Sequence, residues 1–192
     1  MNFIQKEPRC AVATISSGAV TGNVWFYQAG PASFISLFSV LVFSNTGCSR
    51  HGFHIHEFGD LTIGCISAGS HYNPCRKTHG GIDTKIRHAG DLGNIDVDHQ
   101  GRSKICLTLP FGLTLYGGRS IIGRSIIVHE RVDDLGKGSS PESKTTGNSG
   151  GRIGCAVIGI AKCDPKVLCQ QAGNSCSSLR ALCEQRESEN CA

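Results

Sequence analysis

The sequence predicts an all-β chain, an antiparallel eight-stranded Greek-key barrel or sandwich. Two observations carry this. Short extended stretches recur along most of the 192 residues, and several alternate apolar with polar or small side chains, as half-buried strands do. Glycine is abundant at 25 residues while aromatics are few, which fits many tight turns. The length suits one domain with an appendage.

Residues 1–9 read as a frayed terminus. Cys10–Ile15 and Gly22–Tyr27 read as strands joined through Ser16-Ser17-Gly18, with Val20, Val24 and Phe26 in the half-buried pattern. Phe34–Ser44 is the third strand. Here Ile35, Leu37, Phe38, Val40, Leu41, Val42 and Phe43 alternate poorly, which points to a bulge or an altered loop. A strand carrying His54 and His56 follows. Gly93–Val97 and Ser103–Leu109 are strand-like around an Asp98-His-Gln-Gly101 turn, and Pro110 stops the second. Leu113–Tyr116 and Ile126–His129 come next, separated by Gly117-Gly118. Arg152–Ala161 closes the domain with Cys155, Val157, Ile158 and Ile160.

The chemistry concentrates between Gly52 and Asp91, which hold five of the eight histidines. His54 and His56 are two apart, so a strand turns both imidazoles to one face and Phe53 and Ile55 to the other. His71, His79, His88 and Asp91 follow at irregular gaps among Gly69, Asn73, Pro74, Gly80, Gly81 and Gly90, so a loop must gather them. Three imidazoles and a carboxylate suit zinc, whereas imidazoles alone on a flat strand face suit copper better. A single buried histidine is more often hydrogen-bonded core than ligand. The whole series, with His129 ending a further strand, is more specific.

Composition narrows the alternatives. The net charge of +4 comes from residues 1–161, with fifteen Lys/Arg against eleven Asp/Glu; residues 162–192 carry four of each. The basic residues are scattered, which argues against nucleic-acid binding. Residues 1–10 lack a signal-peptide apolar region, and Ile35–Phe43 falls far short of the ~20 residues that span a bilayer. A soluble intracellular protein with no membrane contact is expected. Eleven cysteines are many for the cytosol, and the odd count leaves at least one thiol free or paired outside the chain.

Three motifs carry a resemblance. Gly52–Asp60 reads Gly-Phe-His-Ile-His-Glu-Phe-Gly-Asp, residues 133–138 read Asp-Asp-Leu-Gly-Lys-Gly, and residues 147–158 read Gly-Asn-Ser-Gly-Gly-Arg-Ile-Gly-Cys-Ala-Val-Ile. These, with every interval in the histidine series, resemble the copper/zinc superoxide dismutases from about Gly18 to Ala161. The resemblance implies an immunoglobulin-like sandwich barrel over residues 10–161 with long metal-binding and electrostatic loops. The segment from Pro31 to His54 is about five residues longer than the family's, and 102–120 departs from its sequence.

The resemblance further implies copper on His54, His56, His71 and His129, and zinc on His71, His79, His88 and Asp91, with the His71 imidazolate bridging the two. Arg152 and His71 would be the catalytic residues, one guiding the superoxide anion and the other handling a proton. Asp133 would hydrogen-bond His54 and His79; the plain alternative is a solvated loop carboxylate. Lys137, Arg131 and Lys144 would add to the attracting field, although Lys144 is displaced by about one position and Pro141 replaces an acidic residue. Cys65 and Cys155 occupy the positions of the family's intrasubunit disulfide, against the alternative of two buried thiols. Gly59, Ile122, Gly123, Val157 and Ile160 resemble dimer contacts, so a homodimer, loaded by a copper chaperone in the cytoplasm, is implied.

Residues 162–192 break from this composition and hold Cys163, Cys169, Cys176, Cys183 and Cys191. Cys169, Ala172, Cys176, Leu179 and Cys183 share one helix face, which Gly173-Asn174 would interrupt. The segment reads as a partly ordered tail, with a thiol-rich metal or partner site and interchain disulfides as rival readings. For the whole chain, the rivals to an active dismutase are a copper-chaperone-like metal carrier and a catalytically degenerate homologue. The complete ligand series, Asp133 and Arg152 favour the active enzyme.

Overall fold

The computed structural model describes residues 7–16, 18–44, 49–110 and 112–172, together with Cys176, Leu179 and Cys183. Expectations for residues 1–6, Ser17, Gly173, Asn174 and Cys191 lie outside these residues. The strands are β1 (Arg9–Ile15), β2 (Val20–Gln28), β3 (Ser36–Phe43), β4 (Arg50–His56), β5 (Thr62–Cys65), β6 (Asp91–Asp96), β7 (Arg102–Thr108), β8 (Ser125–His129), β9 (Arg152–Val157) and β10 (Gly159–Ala161); helix α1 (Pro165–Ala172) follows.

The strands form two sheets, ordered β10-β1-β2-β3-β7 and β6-β4-β8-β9. Every strand pairing is antiparallel. The connections β3–β4 and β7–β8 pass from one sheet to the other, giving the Greek-key topology. Between β9 and β10 stands only Ile158, fully buried, where one extended stretch turns the corner between the sheets. Taking β9–β10 as one strand and setting aside the short β5 leaves the expected eight. Inward side chains of both sheets, among them Phe26, Leu37, Leu41, Phe53, Ile55, Ile126 and Val128, meet in one core.

Two expectations are corrected. The poor alternation of the third strand is not a bulge, because β3 pairs without interruption from Val20↔Phe43 to Tyr27↔Ser36 on one side and from Ser36↔Thr108 to Val42↔Arg102 on the other. Leu37, Leu41 and Phe43 face the core; Phe38, Val40 and Val42 face outward. Phe38 is nevertheless buried, because it belongs to a second apolar cluster with Cys10, Leu168, Cys176 and Leu179. An outer layer therefore hides the period of two. Leu113–Tyr116 is not a strand either. The buried side-chain oxygen of Gln28 accepts the Leu115 N–H at 2.6 Å, taking the place of a sheet partner, and only an isolated bridge joins Thr114 to Ser120.

The outer layer is the segment after Ala161. Its described helix, α1, covers Pro165–Ala172. Cys163 is bonded to Cys10 on β1, Cys176 to Cys106 on β7, and Cys169 to Cys183 within the segment. Cys65–Cys155 is the fourth disulfide. Cys75 is the one free and exposed thiol among the described residues.

Candidate metal centre

Strand β4 lays the foundation. Phe53 and Ile55 are fully buried in the core, and His54 and His56 project from the opposite face. Strand β8 runs alongside and ends at His129, two residues beyond Ile127, which pairs with His54. A register shift between Val128 and His129 leaves Ile153 unpaired on β9 and sets Arg152 opposite His129. On the other side, a shift between Gly52 and His54 sets Asp91 opposite His54. Opposed residues of an antiparallel pair share a face, so both irregularities bring a functional side chain beside the histidines.

The loop before β6 returns to the same edge. Tyr72 N–H donates to the Ile55 carbonyl at 2.8 Å, Ile55 N–H to Gly90 at 2.9 Å, and Gly90 N–H to Tyr72 at 2.9 Å. His71 and Asp91 are the neighbours of these anchors. Gly90 is required here, since a Cβ would collide with the Ile55 carbonyl oxygen. The cluster is buried throughout: His54, His56, His71, His79, His88, His129, Asp91 and Asp133.

Two groups of four ligand atoms emerge, each able to hold a metal ion: His54, His56, His71 and His129, and His71, His79, His88 and Asp91, with a smaller group of His54, His79 and Asp133 between them. In the second, Asp91 Oδ1 lies 2.8, 3.0 and 3.2 Å from the Nδ1 atoms of His71, His79 and His88. The His71 and His88 Nδ1 atoms are 3.4 Å apart. Metal–nitrogen bonds of about 2.0–2.1 Å in a tetrahedron give edges of about 3.3–3.4 Å, so the four atoms surround a point at bonding distance. In the first group His56 Nε2 and His129 Nε2 are 3.3 Å apart, while His54 Nδ1 and His71 Nε2 are buried without a hydrogen-bond partner. Unpartnered buried polar atoms are costly. Here they converge on one point, which is what a cation would satisfy.

Outer contacts fix each ring. Asp133 takes His54 Nε2 on one carboxylate oxygen and His79 Nε2 on the other, both at 2.8 Å. Gly147, at φ +64°, passes so close that a Cβ would strike both Asp133 and His79. Asn94 holds the Asp133 backbone on both sides, accepting its N–H at 2.8 Å and donating to its carbonyl at 2.9 Å. Asn94 escaped the sequence reading, although its place three residues after Asp91 on β6 was the available signal. His56 Nδ1 donates to the Gly69 carbonyl at 2.9 Å. His51, also unremarked in the sequence, bonds the His129 carbonyl through Nδ1 at 2.8 Å.

The electrostatics follow from burial. Desolvation pushes His54, His56 and His71 below the usual imidazole range and His129 down to about 4, so these rings are neutral lone-pair donors near neutral pH. Burial acts the same way on His79, but hydrogen bonds to Asp133 and Asp91 outweigh it and lift that ring to about 9. Burial would raise Asp91, yet its bonds to His71, His79 and His88 hold the carboxyl far below its usual range. The Asp91 carboxylate is therefore ionised, as a metal ligand must be.

A cleft of about 810 Å³ opens over His56, His71, His88 and His129. Arg152, Arg131, Lys144, Lys77 and Arg124 line it, against Glu57 and Glu142, so the approach is cationic. Lys137 does not line it. Lys144 is held at the cleft wall by a bond from its Nζ to the Gly136 carbonyl. Lys77 and Arg124 enter the rim without having been singled out in the sequence; Arg124 stacks on Tyr72, 3.7 Å from the ring centroid. Arg152 is fixed by the Cys65 and Gly69 carbonyls, both at 2.6 Å.

Residues 20–158 match the family model described as copper/zinc superoxide dismutase (SODC). The chain belongs to the copper/zinc superoxide dismutase family. It is 46% identical over 152 residues to "Superoxide dismutase [Cu-Zn] 5" of Dictyostelium discoideum, covering 79% of this chain and 98% of the relative. It is 49% identical to "Superoxide dismutase [Cu-Zn]" of Schizosaccharomyces pombe, covering 79% and 97%. It is 47% identical to "Putative superoxide dismutase [Cu-Zn]" of Orgyia pseudotsugata multicapsid polyhedrosis virus, covering 76% and 95%. The protein is thus an oxidoreductase that dismutates superoxide to oxygen and hydrogen peroxide, with copper and zinc as cofactors. The donor sets of this dismutase fit both metals: nitrogens alone in one group, nitrogens with one hard carboxylate oxygen in the other.

Proposed function

We propose that His54, His56, His71 and His129 hold the copper, that His71, His79, His88 and Asp91 hold the zinc, and that Arg152 guides superoxide to the cleft floor. The observation that carries this is His71 itself. Its Nδ1 lies 2.8 Å from Asp91 while its Nε2 is buried without a partner, so one ring offers a nitrogen to each group. Copper when bound supplies the one-electron couple, and redox-inactive zinc supplies charge that holds His71.

The chain's own residues then divide the work. His71 Nε2, buried without a hydrogen-bond partner, would be the atom at which this ring takes and returns a proton. Asp133, bonded to a ring of each group, keeps His54 Nδ1 and His79 Nδ1 aimed at their centres. The Arg152 guanidinium attracts and orients a small anion above His56 and His129. The Cys65–Cys155 bond ties the carbonyls that hold Arg152 to the strand that carries it. Metal analysis paired with a superoxide-consumption assay tests this reading. One copper and one zinc per chain with turnover support it; metal-free protein with turnover, or loaded protein without it, overturns it.

Residues 10–161 constitute the catalytic domain and 162–192 an appended layer outside the ligand set. A homodimer forms through the surface around Gly59, Ile122, Gly123, Val157 and Ile160. There Gly59 abuts Gly123 and Val157, and Ile160 (81%), Ile66 (74%) and Ile63 (70%) are exposed. Sedimentation at micromolar concentration tests it. A copper-carrying chaperone delivers the metal to this buried site. Cytoplasmic residence is the first reading of location, and among the described residues no helix is long and apolar enough to cross a membrane. The three further disulfides among the described residues favour a second, an oxidising compartment. Fractionation of the tagged protein separates the two.

A further inference from the structure

The metal centre lies on the outer face of the four-stranded sheet. Two disulfides fasten the segment after Ala161 to the outer face of the other sheet. Cys10–Cys163 spans 153 residues and Cys106–Cys176 spans 70; Cys169–Cys183 closes a loop within the segment. Beneath them Phe38, Cys10, Leu168, Cys176 and Leu179 form a buried cluster, with Trp25 and Tyr27 packed against it.

We propose that the described part of this segment, Cys163 to Ala172 with Cys176 and Leu179, is a redox-locked cover. The two bridges hold it closed over Phe38 and Trp25, and thiol–disulfide exchange with a low-molecular-weight thiol such as glutathione opens it. The chemistry balances. One thiolate attacks a cystine sulfur and forms a mixed disulfide, a second displaces it, and the protein gains two electrons and two protons while the reductant leaves as its disulfide.

Three features make the bridges the lock. Helix α1 has eight residues, below the ~12–15 at which even good helix formers become marginally stable alone. Its large apolar anchors among the described residues are Leu168 and Leu179. Among the described residues, with both bridges open, nothing covalent ties the segment to the sheet beyond Ala161. The covered face is also the kind that needs a cover. Phe38 is 1% exposed, and Val40 (42%) and Val42 (44%) continue its outward row along β3, so release joins them into one apolar stripe.

The chain carries its own reporter. Trp25 is its single tryptophan, stacked parallel to Phe38 with ring centroids 6.5 Å apart. The holo-protein is equilibrated in glutathione buffers of decreasing potential. Tryptophan emission, tryptic cleavage at Lys162 and Lys166, and thiol labelling by peptide mass are read together. Cys10–Cys163 and Cys106–Cys176 should open before Cys65–Cys155. Emission should then shift to the red and cleavage should rise about ten-fold or more, while metal content and activity per copper stay within about two-fold. Tail bridges reduced with emission and cleavage unchanged would overturn the proposal, as would tail bridges that outlast Cys65–Cys155. The double variant Cys163→Ser/Cys176→Ser should show the open emission in oxidising buffer and no response to glutathione; closed emission there also overturns it.

Discussion

Arg152 and His56 share one acceptor, the carbonyl oxygen of Gly69, 2.6 Å from the guanidinium and 2.9 Å from His56 Nδ1. A carbonyl only accepts, so His56 carries its proton on Nδ1 and presents the Nε2 lone pair to the cleft. The group proposed to attract the anion and a ring of the proposed copper set are thus held by the same atom. The turn after β5, tied to β9 by the Cys65–Cys155 bond, holds that carbonyl in place.

Arg152→Ile should slow superoxide consumption by about ten-fold or more. A charge ~5 Å from its target contributes about 1 kcal/mol in water and several times more in a partly desolvated cleft. The loss should shrink with added salt, which screens over about 8 Å at physiological strength. Removing the guanidinium also leaves the Cys65, Ile66 and Gly69 carbonyls without this donor, so the melting temperature should fall by a few degrees. Stopped-flow rates at two salt concentrations, with calorimetry, check both. Wild-type rate at low salt would remove Arg152 from the mechanism.

The two metals should be separable. His88→Ala should release zinc first and His54→Ala copper, because each ring belongs to one group only, whereas His71→Ala should weaken both. Elemental analysis after dialysis reads this directly. Equal loss of both metals in the first two variants would contradict independent sites.

Asp133→Asn keeps the shape but loses the charge that His79 answers, and an amide cannot accept from both rings. Metal affinity or activity should fall by about 10–100-fold, the usual cost of losing a partner that orients a ligand. Gly147→Ala should resemble it by a different route, since its Cβ would occupy the space of Asp133 and His79. An alanine variant with wild-type zinc affinity would show that the loop relaxes around Asp133.

What the sequence made legible and what it hid have physical reasons. The candidate ligands announced themselves because His54 and His56 need strand spacing, His71, His79, His88 and Asp91 need a glycine-rich loop, and His129 ends a further strand. The Arg152 and Asp91 placements depend on register shifts that leave no mark in composition. Asn94 and His51 act through backbone atoms of their partners, so nothing about their residue types pointed to the site. β3 looked irregular because Phe38 is covered from outside, and Leu113–Tyr116 looked like a strand because Gln28, eighty-seven residues from Leu115, supplies its partner.

Truncation after Ala161 separates the cover from the catalyst. It removes no proposed ligand, no described residue contacting one and no net charge, so activity per bound copper should survive within about two-fold. Stability should not. Phe38 is uncovered, Leu168 and Leu179 no longer pack there, and Cys10 and Cys106 lose their disulfide partners. Burial of a single large apolar side chain contributes about 1.5–3 kcal/mol, so the melting temperature should drop by several degrees or more. The new apolar face should promote self-association, visible by light scattering and relieved by Phe38→Ser in the truncated chain. Loss of turnover with both metals retained would mean that the segment supports the site across the barrel core. Unchanged stability would mean that the outer cluster is ornament, and that the covered Phe38 has no structural need of its cover.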